Sequence, residues 1–304
     1  MNQTPGGRDP QFRQEIQQMM WVAGEENDPS TETILLIESI VREQVVQMLV
    51  TARDLAHRRG AALFSNNDVI FQIRHDDARV ERIRAFLTWK SIRKKAKNED
   101  EKEIEEHGGF EDESAEMPSD DAIPSASSRI SAFSLPWDVE SMFRVQVPED
   151  TTISDVLGPA TFEKLQRDDE RTRHMSVDEY ATWSEYRHAS FTGRRVKRFR
   201  EWAGLGKIAD HKPNDDVLDI LGFLTSEMVQ MLTSEALRFQ KNELETSLER
   251  QPPSSARDDS CSLFLRPDIA KPPIEPRHVL SASQRILSHN GKRKRLGVNR
   301  IFIC

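Results

Sequence analysis

Apolar side chains recur three or four residues apart through the segment 29–97, and the longest such series sets the plan of the chain. Ile34, Ile37, Val41, Val45, Met48, Ala52 and Leu55 share one face of a helix. Ser30 and Thr31 stand before the series as caps for its first turn. Arg58, Arg59 and Gly60 close it, the cations at the negative end of the helix dipole and the glycine free to turn left-handed. The spacing predicts one helix over 31–59, far beyond the average of about 11–12 residues. Leu35, Ile40, Val46 and Leu49 widen the stripe past what one neighbour needs, so this helix is expected to be covered from two sides. Phe12, Ile16, Met19 and Met20 predict a short helix before it, over 12–21. After it, the cap candidates at 65–68 introduce a short helix carrying Val69, Ile70 and Ile73. A further helix, about 77–97, carries Val80, Ile83, Leu87 and Ile92.

The order short, long, short returns in the second half. A brief helix is predicted at 160–167, and order resumes at Ser176, where Tyr180, Trp183, Tyr186 and Phe191 gather both tyrosines of the chain. A cationic helix is predicted over 191–202 with Phe191, Val196, Phe199 and Trp202 as its apolar members, and a loop at 204–207. Pro213 and Asn214 start a second long helix, predicted to end near 241–244, with Val217, Leu221, Leu224, Met228, Met231 and Leu232 on its core face. Phe223, Val229 and Leu237 lie elsewhere on its circumference, so it too should be enclosed. A last helix over 275–288 carries Val279, Ala282, Ile286 and Leu287. One such short–long–short unit alone would expose an apolar patch above the few hundred Å² that soluble monomers tolerate. Pairing is therefore expected, through Ile37, Val41, Val45 and Met48 on one side and Leu221, Leu224, Met228 and Met231 on the other. The resulting plan is an N-terminal tail (1–10), a first unit with an appended helix (11–97), an acidic disordered linker (98–132) and a partly ordered connector (133–175). A second unit (176–289) with a polar insertion (245–271) and a basic tail (290–304) complete it.

Composition adds the linker to this helical picture. Of 304 residues 31% are charged and 37% hydrophobic, lean for a wholly folded chain, so part of it is expected to be disordered. Twelve acids and one lysine fall within 99–121. The net charge of -8 argues against a bulk nucleic-acid binder. Lys292, Arg293, Lys294 and Arg295 form a basic run that fits nuclear import, a phosphate or partner contact, or an inert tail. Cys261 and Cys304 lie too far apart in sequence for a metal or redox motif, which fits a reducing compartment. The N-terminus has no apolar signal core, and no apolar run reaches the roughly 18–20 residues of a membrane span.

Catalytic chemistry finds little support. Asp215, Asp216 and Asp219 match DDxxD, which on a helix can hold magnesium against a diphosphate, so an all-helical magnesium-dependent enzyme is one alternative. No second acidic motif accompanies it, and first-turn acids stabilise a helix in any case. Gly204, Gly206 and Lys207 are a fragment of a phosphate loop without its remaining positions. The histidines have no metal-ligand spacing and no nucleophilic triad is apparent. Arg194, Arg195, Lys197, Arg198 and Arg200 line the cationic helix and motivate a second alternative, a DNA-binding module.

The doubled arrangement resembles the histone fold, and particular stretches are similar to one family. NNDVIFQIRHD at 66–76 and FLTWKSIR at 86–93 resemble the first histone fold of the TATA-binding-protein-regulating subunit of the SAGA coactivator, the suppressor-of-Ty family. WSEYRHASF at 183–191, DDVLDILGFLT at 215–225 and EPRH at 275–278 are similar to its second fold. Ser283 departs from it, standing where an aromatic is expected. The resemblance implies an all-α chain of two histone folds that form an intramolecular heterodimer-like pair across a long acidic linker. It also implies a nuclear, non-enzymatic coactivator subunit without cofactor, metal, membrane or small-molecule substrate. Its partners would be the TATA-binding protein, whose delivery to RNA polymerase II promoters it would regulate, and other SAGA core subunits with histone folds. Direct DNA contact would be weak. Acids of the second long helix, Glu227 first and then Glu235, are the expected contact with the TATA-binding protein, because complementary charge orients a basic partner.

Overall fold

The structure is a computed structural model and describes residues 9–106, 135–138, 158–193, 195–208, 213–250 and 272–293; every regular element among these is a helix. In chain order they are α1 (Arg13–Ala23), α2 (Thr31–Arg58), α3 (Asn66–Phe71), α4 (Asp77–Glu106), α5 (Pro159–Thr172), α6 (Val177–Tyr186), α7 (Val196–Trp202), α8 (Leu205–Ile208), α9 (Asp215–Arg250) and α10 (Pro276–Arg293). The chain forms two compact units, one of Met1–Gln72 with His174–Cys304 and one of Ile73–Arg173.

In the first unit, local chemistry sets the limits of α1 to α3. Gly24 takes φ 114° and returns its N–H to the end of α1, a conformation open to glycine at little cost. Ser30 Oγ accepts the Thr33 N–H at 3.2 Å and caps α2. At the other end Gly60 turns left-handed with φ 73°. Asp68 then accepts the Ser65 N–H at 2.7 Å and the Arg59 Nε at 2.9 Å, which ties the start of α3 to the end of α2. The expected stripe of α2 is buried from Ile34 to Ala52, while Leu55 is half-buried. α1, α3, α8, α9 and α10 all pack on α2, so it is covered from more than one side. α9 in turn packs on α1, α2, α3 and α10. Helices from the two ends of the chain thus share one core.

Several boundaries differ from the sequence expectation. α4 continues to Glu106, nine residues into the stretch assigned to the acidic linker. The Glu- and Lys-rich continuation contains good helix formers and no breaker. The rest of that linker lies outside the described residues. The cationic helix does not begin at Phe191: residues 191–193 form a bend and turn, in which Ser190 Oγ accepts the Thr192 N–H, and α7 starts at Val196. The 204–207 loop contains one helical turn, α8, entered through Gly204 at φ 68°. α9 runs to Arg250 rather than stopping near 241–244, so the polar insertion outside the described residues is 251–271. α10 extends to Arg293, taking in Lys292 and Arg293 of the basic run; Lys294 and Arg295 lie outside the described residues.

In the second unit α4 packs on α5. Ile83, Leu87 and Ile92 are buried along α4, as their spacing predicts. Glu81 accepts the Thr161 N–H at 3.1 Å at the start of α5, and Arg84 pairs with Asp138. A side chain at Gly158 would overlap the Glu81 carboxyl, so a larger residue there must move Glu81 away from the Thr161 N–H.

Candidate interaction surface

The first unit holds the residues on which a partner-binding reading depends, and they divide into a buried joint and an outer face. At the joint, Phe12 stacks on Phe191 at 4.6 Å between ring centroids, and Trp202 meets both edge-on, at 5.4 and 5.5 Å. Phe199 closes the cluster. Glu38 of α2 lies beneath it and accepts the Trp202 indole N–H at 2.8 Å, while Arg42 Nε donates to the Trp202 carbonyl at 2.7 Å. Burial raises the Glu38 carboxyl above its ordinary range; Trp202, the backbone N–H groups of Phe12 and Gln11, and the charge of Arg198 oppose that shift. The residues 12, 38 and 42 come from the first half of the chain and 191, 199 and 202 from the second.

Of the expected pairing residues, Ile37, Val41, Val45, Met48, Leu221, Leu224 and Met228 are buried on helices that pack together. Met231 is half-buried and borders the core. Gly222, on another side of α9 from this face, lies so close to the 190–192 turn that a Cβ there would overlap Thr192 Oγ1. Ser283 is buried on α10, so the small side chain has been accommodated where an aromatic was expected.

The acids of α9 are less open than a solvated helix face would make them. Glu227, the first of the two expected contact acids, is only 9% exposed. Two apolar faces on one helix leave little circumference for water, and Glu227 lies between the buried Leu224 and Met228 and beside them. Glu235 is half-buried, 3.6 Å from Arg285 of α10 and 3.8 Å from Arg238. Asp215 of the DDxxD stands 3.9 Å from Arg200, and among the described residues no three His, Cys, Asp or Glu side chains converge on a common point. Cations assigned to a DNA face are also engaged: Arg195 pairs with Glu15 at 3.1 Å and Arg198 lies over the Phe12 ring. Arg194 is outside the described residues. Among those residues no helix is long and apolar enough to cross a membrane.

Two features escaped the sequence reading. Glu38 follows Ile37 and sits four residues after Ile34 and three before Val41, a spacing that places a carboxylate beside the core face. The segment Pro272–Glu275 leads into α10, and prolines at 272, 273 and 276 mark it as stiff.

Comparison with known proteins accounts for this arrangement. Residues 10–102 match the family model described as transcription initiation factor IID, 18kD subunit. The chain is 39% identical to the SAGA complex subunit Spt3 of Schizosaccharomyces pombe over 296 residues, covering 93% of this chain and 92% of the relative. The chain belongs to the SPT3 family. The SAGA complex subunit SPT3 of Saccharomyces cerevisiae is 38% identical, with 89% of this chain and 90% of that protein covered. The transcription initiation factor TFIID subunit 13 of Arabidopsis thaliana is 33% identical over 96 residues, 31% of this chain. An SPT3-family chain therefore carries a histone fold in α1 to α3, and α9 with α10 completes its core from the other end of the sequence.

Proposed function

We propose that this chain is a non-enzymatic subunit of a nuclear SAGA-type transcription coactivator. Its two halves act as two histone folds paired in cis. In that role it engages the TATA-binding protein and regulates its delivery to RNA polymerase II promoters, beside other histone-fold subunits of the complex. The supporting observation is that helices from both ends of one chain build a single core, in a sequence similar to SAGA subunits along nearly its whole length. An already satisfied pair leaves its outer surfaces for other proteins. The basic run 292–295 would serve nuclear import.

For the TATA-binding protein we place the contact on the α9–α10 edge, with Glu235 now ahead of Glu227. Glu235 retains access to water and its carboxylate can exchange Arg238 or Arg285 for a partner's cation, whereas Glu227 acts from behind the surface. Full-length chain immobilised on a sensor should capture the purified TATA-binding protein. Glu235→Lys should weaken capture by about tenfold through reversed complementarity. Isosteric Glu227→Gln should change it less. Absence of capture by the parent chain would remove the function, and unchanged capture by Glu235→Lys would remove the contact.

A further inference from the structure

The segment Pro272–Glu275, between the insertion and α10, has a complete and unusual set of polar partners. Prolines at 272, 273 and 276 have no N–H, so only Ile274 and Glu275 can donate from the backbone of this strap. The Glu275 N–H is used internally, donating to His278 Nδ1 at 3.1 Å. The Ile274 N–H instead crosses to Glu25 Oε2 at 3.0 Å, and the Ile274 carbonyl accepts from Thr33 Oγ1 at 3.1 Å. Gln240 Nε2 donates to the carbonyls of Pro272 and Pro273, at 2.7 and 3.3 Å. Glu25, Thr33, Gln240 and Ile274 are all buried.

We infer that Glu25 and Thr33 are specificity-determining residues for the pairing of the two halves, reading the backbone N–H and C=O of Ile274 rather than a side chain. The argument runs from what a wrong partner would leave behind. Glu25 carries a buried carboxylate whose other oxygen accepts the Asn27 N–H, at 3.0 Å. A partner without a free N–H at this point strands that charge out of water, and one without an adjacent carbonyl leaves Thr33 Oγ1 with Ser30 Oγ, 2.9 Å away, as its hydrogen-bond partner in place of the strap. Apolar helix faces tolerate many partners of similar shape, whereas a paired donor and acceptor at one strap position do not. The prolines hold the strap extended before binding, so little freedom is lost when it seats. The inference deepens the cis-pair reading and rests on it.

Hydrogen exchange on the full chain tests it. In Thr33→Val and Glu25→Ala the Ile274 amide should exchange at least about tenfold faster, while the Leu224 and Leu232 amides in mid-α9 keep their protection. Thr33→Ser, which keeps the hydroxyl, should stay within about threefold of the parent. Ile274→Pro removes the donor and should lower stability, and Glu25→Leu added to it should restore part of the loss by removing the stranded charge. Retained protection of Ile274 in Thr33→Val, equal behaviour of the Ser and Val variants, or a uniform loss through α2 and α9 overturns the inference. The mass of the parent sample separates this from the cis-pair reading. A dimeric parent with Ile274 protected would sink cis pairing and leave strap readout standing, now between two chains.

Discussion

At Gly222 the backbone of α9 approaches the 190–192 turn without room for one further carbon. Gly222→Ala must push Thr192 aside or bend α9, and overpacking of this kind costs about 1–3 kcal/mol. Urea unfolding of the full chain should show that loss, and Thr192→Ala in the same chain should recover part of it. Trp202 is exacting for a different reason. Its indole N–H is the side-chain donor to a buried carboxylate, so Trp202→Phe keeps most of the ring packing and removes the hydrogen bond to Glu38. The expected loss is about 1–3 kcal/mol, that of a buried group left short of a partner. Trp202→Phe combined with Glu38→Leu should be less damaging than the two separate losses predict, as measured by the same unfolding curves.

Along the helices, two carboxylates of opposite behaviour make the joint and the start of α10 respond differently to acid. Glu38 has its pKa raised by burial, so the stability tied to its protonated form is full below the ordinary glutamate range, about 4.3, and fades as pH rises through the raised value. Glu38→Gln keeps an acceptor for Trp202 and has no charge to bury. Its stability relative to the parent should therefore improve as pH climbs from 4 towards 7, read by thermal melts across about that range. Glu243 has its pKa lowered, chiefly by the His278 hydrogen bond at 2.9 Å, so its contribution is present above the ordinary range and disappears as pH falls through the lowered value. Because His278 Nδ1 accepts the Glu275 N–H, Nε2 is the nitrogen that donates to Glu243. Both long helices were legible in the sequence because their stripes are wide and regular, and the caps at Ser30 and Gly60 announced themselves. The end of α9 was not, since Glu245 and Thr246 are exposed and the sequence there carries helix propensity without an apolar stripe. The turn at 191–193 was hidden by aromatic spacing that fits a helix; the Ser190–Thr192 hydrogen bond decides it locally. The candidate contact was only half legible: charge placed Glu227 and Glu235 on α9, but how far each is buried depends on the helices packed against α9, which no local pattern reports.

For the molecule as a whole, the core built from both ends of the chain predicts a monomer of 34.9 kDa in solution. Sedimentation of the full chain should give that mass, and separately expressed 1–121 and 131–304 should be soluble together and not alone. A dimeric full chain, or halves stable apart, would refute pairing in cis. That pairing was legible because the same order of helices appears twice; its fine specificity was not, because a contact between Glu25 and Ile274 spans 249 residues and depends on backbone atoms common to every sequence. The same separation has a consequence during synthesis. A ribosome adding about 5–20 residues per second needs roughly 12–50 s to travel the 249 residues from Glu25 to Ile274. For most of that interval α2 has been made while α9 and α10, which pack on its apolar face, have not. The nascent first half carries that uncovered face until the second half follows, and a message cut short before codon 272 yields a chain in which Glu25 and Thr33 have no strap to meet.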